Sequence, residues 1–190
     1  LLELFSGIGG FSLGFQQAGY KFDWIGYSEL DKYANEVFER RFPDAKQLGD
    51  ITAIRCEDLP SDITIISGGF PCQSFSIAGK REGFNDTRGT MFFEIARILR
   101  YFRDIGKPIP YILLENVKGL LNHEDGQTFA TIYGILTELG YTVECQIVNT
   151  RWFLPQNRER IFFVGYIGDG SGSKVFPIEQ GNGILGESRR

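Results

Sequence analysis

The chain has 190 residues, 42% of them apolar, a net charge of −4 and a pI near 5.1. That length fits one α/β domain, no apolar run approaches the roughly 20 residues of a membrane span, and no signal peptide is visible. Three cysteines without close spacing and a single histidine argue against a disulfide scaffold and a metal site, so the expected setting is a reducing, intracellular compartment.

Leu1 to Phe5 reads as a first strand. A chain that opens inside a strand, without an initiator Met, leads us to expect residues before it. Ser6 to Gly10 is a glycine turn, and Phe11 to Ala18 reads as a helix stopped by Gly19. Phe22 to Tyr27 is a second strand, ending near Ser28-Glu29. Asp31 can cap a helix running to Phe42, with Pro43 as its stop. Ile63 to Ser67 is a buried strand. Residues 68–89 are polar, carry five glycines and show no regular period; so long a loop in a compact domain is usually functional.

Thr90 to Ile105 places apolar residues at 92, 95, 98, 99 and 102, a helical period. Tyr111 to Leu114 is a strand ending at Glu115-Asn116. Thr128 to Leu139 is a helix ended by Gly140. Tyr141 to Val148 and Ile161 to Ile167 are the last strands. Gly168 to Ser173 reads as a linker. Such alternation predicts an α/β fold, a mostly parallel doubly wound sheet with helices on both faces. Ligands in such sheets bind at the carboxyl ends of the strands. Glu29, Cys72 and Glu115 each follow a separate strand, which brings them to that edge.

The acidic balance speaks weakly against a nucleic-acid partner, but the charge is unevenly spread. Residues 80–104 hold six basic side chains against four acidic ones, and residues 151–160 hold three arginines against one glutamate. For Arg97, Arg100 and Arg103 a solvated helix face is an equally good reading.

Cys72, held by Pro71 after two glycines, sits where α/β proteins place chemistry. A free thiol needs activation to attack. The only histidine, His123, lies in a polar turn that reads as a solvated loop. A phosphatase loop would want an arginine at position 78, which is Ala78, and there is no Cys-x-x-Cys pair. The common cysteine chemistries therefore lack their partners. The turn Phe5-Ser6-Gly7-Ile8-Gly9-Gly10 followed by Glu29 suggests an adenosine cofactor, with a tight turn and a surface glutamate as the plainer alternative. Asp50 is either a third candidate there or a cap. Glu115-Asn116 is either an N-cap or a partner for a polar ring. Arg158 and Arg160 share one side of an extended segment and suit a carbonyl or phosphate oxygen, or else form a charged edge.

Together these residues closely resemble the DNA (cytosine-5) methyltransferase family. The resemblance is carried by Leu4-Phe5-Ser6-Gly7-Ile8-Gly9-Gly10-Phe11, by Gly69-Phe70-Pro71-Cys72-Gln73-Ser74-Phe75-Ser76, by Glu115-Asn116-Val117 and by Gln156-Asn157-Arg158-Glu159-Arg160. The four motifs occur in order and span residues 1 to about 167.

The resemblance implies a Rossmann-like fold and S-adenosylmethionine as methyl donor, leaving S-adenosylhomocysteine. It implies that Cys72 adds to carbon 6 of a flipped-out cytosine, that Glu115 holds ring nitrogen 3 and the exocyclic amine, and that Arg160, with Arg158 close by, binds the carbonyl oxygen. Phe5, Ser6, Gly7, Gly9, Gly10, Glu29, Leu30, Asp50, Ile51 and Pro71 would line the cofactor site. Phe5 would stack on the adenine, Glu29 would hold the ribose, and Asp50-Ile51 would contact the adenine. Gln73, Ser76, Lys80, Arg81 and Arg88 would face DNA on a loop that closes over the base.

The resemblance further implies a DNA partner, a restriction-modification setting, and no metal. Residues 1–167 would form the catalytic and cofactor-binding domain. Residues 168–190 would be a linker or the start of a target-recognition region otherwise supplied by a further segment or a second chain. Weak or no activity is expected of the 190 residues alone. The competing readings are a tRNA cytosine-5 methyltransferase and a non-catalytic regulatory homologue.

Overall fold

The structure is a computed structural model that describes residues 1–71, 91–168 and 174–178. Cys72, Gln73, Ser76, Lys80, Arg81 and Arg88 lie outside the described residues, as does most of the expected linker.

Among the described residues, seven strands form one sheet: β1 (Leu2–Leu4), β2 (Gly26–Ser28), β3 (Lys46–Gln47), β4 (Ile65–Gly69), β5 (Tyr111–Val117), β6 (Thr142–Asn149) and β7 (Glu159–Tyr166), in the order β3-β2-β1-β4-β5-β7-β6. Four helices accompany them: α1 (Gly10–Gln17), α2 (Lys32–Arg41), α3 (Met91–Asp104) and α4 (Gln127–Glu138). The first five strands pair in parallel, and β7 is antiparallel to both β5 and β6. A short connection can join antiparallel neighbours but not parallel ones. The nine residues between β6 and β7 therefore make a hairpin, and β7 inserts beside β5.

Side-chain alternation assigns the two faces. Leu2, Leu4, Ile66, Ile112, Leu114 and Phe163 point into the main core with Ile95, Leu99, Ile132 and Leu136 of α3 and α4. Glu3 and Tyr27 point to the other face, where Tyr27 stacks on Phe38 of α2 at 3.9 Å and Glu3 meets Ser12 of α1. The sheet is doubly wound and mostly parallel.

The two-residue β3 was not read in the sequence, and among the boundary differences three bear on the site. The second strand starts at Gly26 rather than Phe22, because the Phe22 ring packs edge-on against Phe15 of α1. The fourth runs on through Gly68 and Gly69, which pair with Leu114 and Glu115. The fifth does not stop at Leu114: Glu115, Asn116 and Val117 pair with Phe162, Ile161 and Arg160. Glu115 is thus a strand residue with neighbours on both sides, not an N-cap.

Candidate active site at the carboxyl edge of the sheet

Glu115 lies between β4 and β7, and its side chain is only 19% exposed. The β7 pairing brings arginine to it. Arg160 Nε stands 2.9 Å from Glu115 Oε1, and Arg158 Nη2 stands 3.6 Å from the same oxygen. Arg160 is the more enclosed of the two, at 23% against 51% exposed, and also donates through Nη1 to the Glu159 carbonyl at 2.8 Å. On the β4 side, the other carboxylate oxygen lies against Gly69: a Cβ there would sit 2.9 Å from Oε2. Carboxylate and guanidinium together form a polar wall with donors and an acceptor in fixed positions.

Asn116 ties this wall to the segment that leads to Cys72. Its Nδ2 donates to the Phe70 carbonyl at 2.9 Å, and its Oδ1 accepts from Val117 N at 2.8 Å. Phe70 is itself buried against Phe92 of α3. Pro71 is therefore held from behind, one residue before Cys72. Asn149 organises the hairpin that carries the arginines. Its Oδ1 accepts from Arg151 N and Arg158 N, at 3.0 and 3.3 Å, and its Nδ2 donates to Asn157 Oδ1 at 2.8 Å. The sequence reading named Asn116 only together with Glu115 and gave Asn149 no role. The signal was available for Asn116, which adjoins the carboxylate in a recurring motif, but not for Asn149.

A second cluster gathers after β1, β2 and β3. Phe5 is left-handed at φ 52°, an unusual conformation for an aromatic residue. With Gly7 and Gly9 also at positive φ, it folds the turn back so that Ser6 N reaches the Ser28 carbonyl at 3.0 Å. Glu29 then closes the turn. Its Oε2 accepts from Gly7 N, and its Oε1 accepts from Leu30 N and Asp31 N, all at 2.8 Å. A carboxylate has about four acceptor positions, so one remains open on Oε2. Ser28 Oγ donates to the Gly49 carbonyl at 2.6 Å, which sets the Asp50–Ile51 turn beside Glu29. Asp50 caps that turn through Thr52 N at 2.9 Å. Leu30 is 72% exposed at the rim. Ser6 Oγ is buried with no hydrogen-bond partner.

The structure therefore joins Phe5, Ser6, Gly7, Gly9, Gly10, Glu29, Asp50 and Ile51 around one turn, and Glu115, Arg158 and Arg160 around one carboxylate. Pro71 follows β4, between the two groups, because β4 pairs with both β1 and β5. His123 Nδ1 lies 2.7 Å from Thr128 Oγ1, at the start of α4. Arg97 does not take the solvated-face alternative, as its guanidinium reaches the Ile51 carbonyl and Cys56 Sγ. Burial pushes the Cys145 thiol up to about 11 and raises that of Cys56. Both are thereby held as thiols at neutral pH, so neither suits an attacking thiolate. Among the described residues no group of three or more His, Cys, Asp or Glu could hold a metal ion, and no helix is long and apolar enough to cross a membrane.

Residues 1–182 match the C-5 cytosine-specific DNA methylase family. The chain belongs to that family. It is 50% identical over 167 residues to the Type II methyltransferase M1.ScrFI of Lactococcus lactis subsp. cremoris, and 50% identical over 166 residues to M.NgoBI of Neisseria gonorrhoeae. Each match covers 87% of this chain, but 41% and 50% of those proteins. The chain thus spans about half the length of the curated relatives it matches. The crystal structure of the S. pombe Dnmt2 methyltransferase superposes with a TM-score of 0.73 at 24% identity, over 92% of this chain and 52% of that one. The sheet and helices of this cytosine methylase family member are thus the Rossmann-like fold of the S-adenosylmethionine-dependent methyltransferases.

Proposed function

We propose that the protein methylates carbon 5 of cytosine in DNA, with Cys72 as covalent nucleophile. The observation that carries this reading is the Arg160–Glu115 pair seated against Gly69, directly beside the segment that Asn116 anchors ahead of Cys72. A cytosine ring presents an acceptor and a donor, at nitrogen 3 and the exocyclic amine, next to a carbonyl oxygen. A protonated carboxyl can serve the first two, donating to nitrogen 3 and accepting from the amine, as can a carboxylate once nitrogen 3 carries the proton; a guanidinium serves the third. Binding all three polarises the ring toward attack at carbon 6, and fixed donors of this kind act most strongly in a dry site.

The cofactor reading rests on the second cluster. Ser6 Oγ is an unpartnered buried hydroxyl at the turn, the open position on Glu29 Oε2 suits a ribose hydroxyl, and Asp50 stands beside it. These residues fit an adenosine with a polar tail, so Phe5, Ser6, Gly7, Gly9, Gly10, Glu29, Leu30, Asp50, Ile51 and Pro71 would hold S-adenosylmethionine, which supplies the methyl group that carbon 5 takes. Cys72 adds to carbon 6 as the thiolate. Glu115 and Arg160 hold the ring while its aromaticity is broken. After the proton on carbon 5 leaves, elimination of the Cys72 thiolate restores the ring. A base inside a duplex cannot reach such a site and has to be flipped out, at a cost of roughly a few kcal/mol. Gln73, Ser76, Lys80, Arg81 and Arg88 are the proposed DNA contacts. Restriction-modification is the proposed setting, because the relatives at 50% identity are named Type II methyltransferases.

The test is transfer of a tritiated methyl group from S-adenosylmethionine to duplex DNA and, in parallel, to tRNA. Labelled DNA and unlabelled tRNA are expected of the full-length protein, with weak or no label from the 190 residues alone. A duplex containing 5-fluorocytosine should trap a covalent adduct with the native protein and none with Cys72→Ser. An adduct with Cys72→Ser would remove Cys72 from the nucleophile's role, and label in tRNA alone would move the substrate to RNA.

A further inference from the structure

Arg97, on the first half of α3, ties that helix to the Asp50–Ile51 turn. Its guanidinium spreads three donors over three partners: Nη2 to the Ile51 carbonyl at 3.0 Å, Nη1 to Cys56 Sγ at 3.2 Å and Nε to Glu94 Oε2 at 2.7 Å. The Ile51 carbonyl also closes the short 3-10 turn Ile51–Ala53 by accepting from Ile54 N at 3.2 Å. The side chain is 37% exposed and Glu94 only 18%, so the guanidinium is fixed along its buried edge. A lysine could supply the charge but not this planar fork.

We propose that Arg97 is a positioning residue for recognition of the cofactor's adenine, an inference that rests on the reading of the site under Proposed function. Asp50 Oδ1 is engaged by Thr52 N, which leaves Oδ2 as the acceptor for the exocyclic amine of adenine. The direction of that oxygen depends on the pitch of the 3-10 turn, and Arg97 sets the pitch through the Ile51 carbonyl. Without the guanidinium the turn keeps its internal bonds, so the pocket survives, but the carboxylate loses its fixed aim. An amine rewards a well-aimed acceptor, whereas a carbonyl at the same ring position is repelled by it. Arg97 therefore governs the preference for adenine over hypoxanthine more than it governs binding itself.

The experiment is isothermal titration of the intact protein with S-adenosylhomocysteine and with its inosine analogue, for the native chain, Arg97→Met, Arg97→Lys and Glu94→Gln. The native protein should favour the adenosine compound by about tenfold or more, the order of one well-placed polar contact. Arg97→Met should bring the ratio to within about twofold of unity, chiefly by weakening the adenosine compound, with Arg97→Lys between them. Glu94→Gln, which loosens the guanidinium without removing it, should lower the ratio less, and it keeps the test open if Arg97→Met does not fold. An unchanged ratio in Arg97→Met and Glu94→Gln, or equal weakening of both compounds, overturns the proposal and leaves a structural tie. If the native protein binds neither compound, the cofactor reading itself fails. If it binds both equally, the cofactor reading stands and the adenine role of Asp50 and Arg97 falls.

Discussion

At the residue scale, the Glu115 carboxylate is held from two sides, and each side makes a prediction. Arg160 is closer than Arg158, less exposed and further bonded to the Glu159 carbonyl. Arg160→Ala should therefore lower kcat by about 10²–10³, the usual loss for one fixed donor at a reacting group, and Arg158→Ala by about tenfold or less. Single-turnover methylation assays compare them, and equal losses would mean that the 3.6 Å contact matters as much as the 2.9 Å one. On the other side, a methyl group at Gly69 would press on Glu115 Oε2 from 2.9 Å. Gly69→Ala should cost about a hundredfold in kcat, the order for an ångström of misplacement, with S-adenosylhomocysteine binding unchanged. Full activity in that variant would show that the carboxylate can step aside. The carboxylate and both arginines were legible in the sequence as motif residues. Their convergence on one base followed from the family resemblance and not from local pattern, because it depends on β7 entering beside β5, and nothing local to residues 156–160 says which strand they will meet.

At the element scale, α1 shows why a fully buried acid went unread. Its N-cap is Gly9, which has no side chain to satisfy the first amides of the helix. Glu3, on the neighbouring strand and wholly buried, does this instead, accepting from Ser12 N at 2.9 Å, from Phe11 N at 3.3 Å and from the Ser12 hydroxyl. A sequence pattern shows caps that lie next to their helix, not one delivered from a strand eight residues away. Burial outweighs these bonds and raises the Glu3 carboxyl above its ordinary 4.5. Below pH 4.5 the group is protonated in the folded and the unfolded chain alike. Above it the unfolded chain releases the proton first, so stability falls as pH rises toward the raised folded value, and the penalty is complete beyond it. Glu3→Gln removes the titration while losing an acceptor, and the second effect does not depend on pH. The stability of Glu3→Gln relative to the native chain should therefore increase as pH rises from 4.5 to 8, measured by urea midpoints. A relative stability that declines over that range would mean that the helix amides stabilise the carboxylate more than burial opposes it.

At the scale of the whole molecule, the parallel half of the sheet, apart from the two-residue β3, was legible because strand and helix alternate with clear stops, while the antiparallel edge was not. That edge depends on one close approach. Gly165 of β7 lies opposite Ile112 of β5 and Val143 of β6. A Cβ there would stand 2.6 and 2.7 Å from Ile112 Cγ1 and Cδ1, and 3.3 Å from the Tyr141 ring. Neither neighbour has room to give: Ile112 is 1% exposed, and Tyr141 is 4% exposed with its hydroxyl donating to the Ile109 carbonyl at 2.7 Å. Gly165→Ala should therefore destabilise the fold by about 1–3 kcal/mol, as overpacking does. At about 2–4 °C for each kcal/mol in a chain of this size, the melting temperature should drop measurably. Arg160 is five residues away along β7, anchored separately by Glu115 and by the hairpin around Asn149. The variant should thus keep most of its kcat well below its melting point. Gly69→Ala should show the opposite profile, near-native melting with lost turnover. Comparing the two by differential scanning calorimetry and methyl transfer separates a glycine that admits the packing of the sheet from one that admits its chemistry. If Gly165→Ala lost turnover at a temperature where it is fully folded, the two arginines would depend on the register of the whole antiparallel edge rather than on their local anchors.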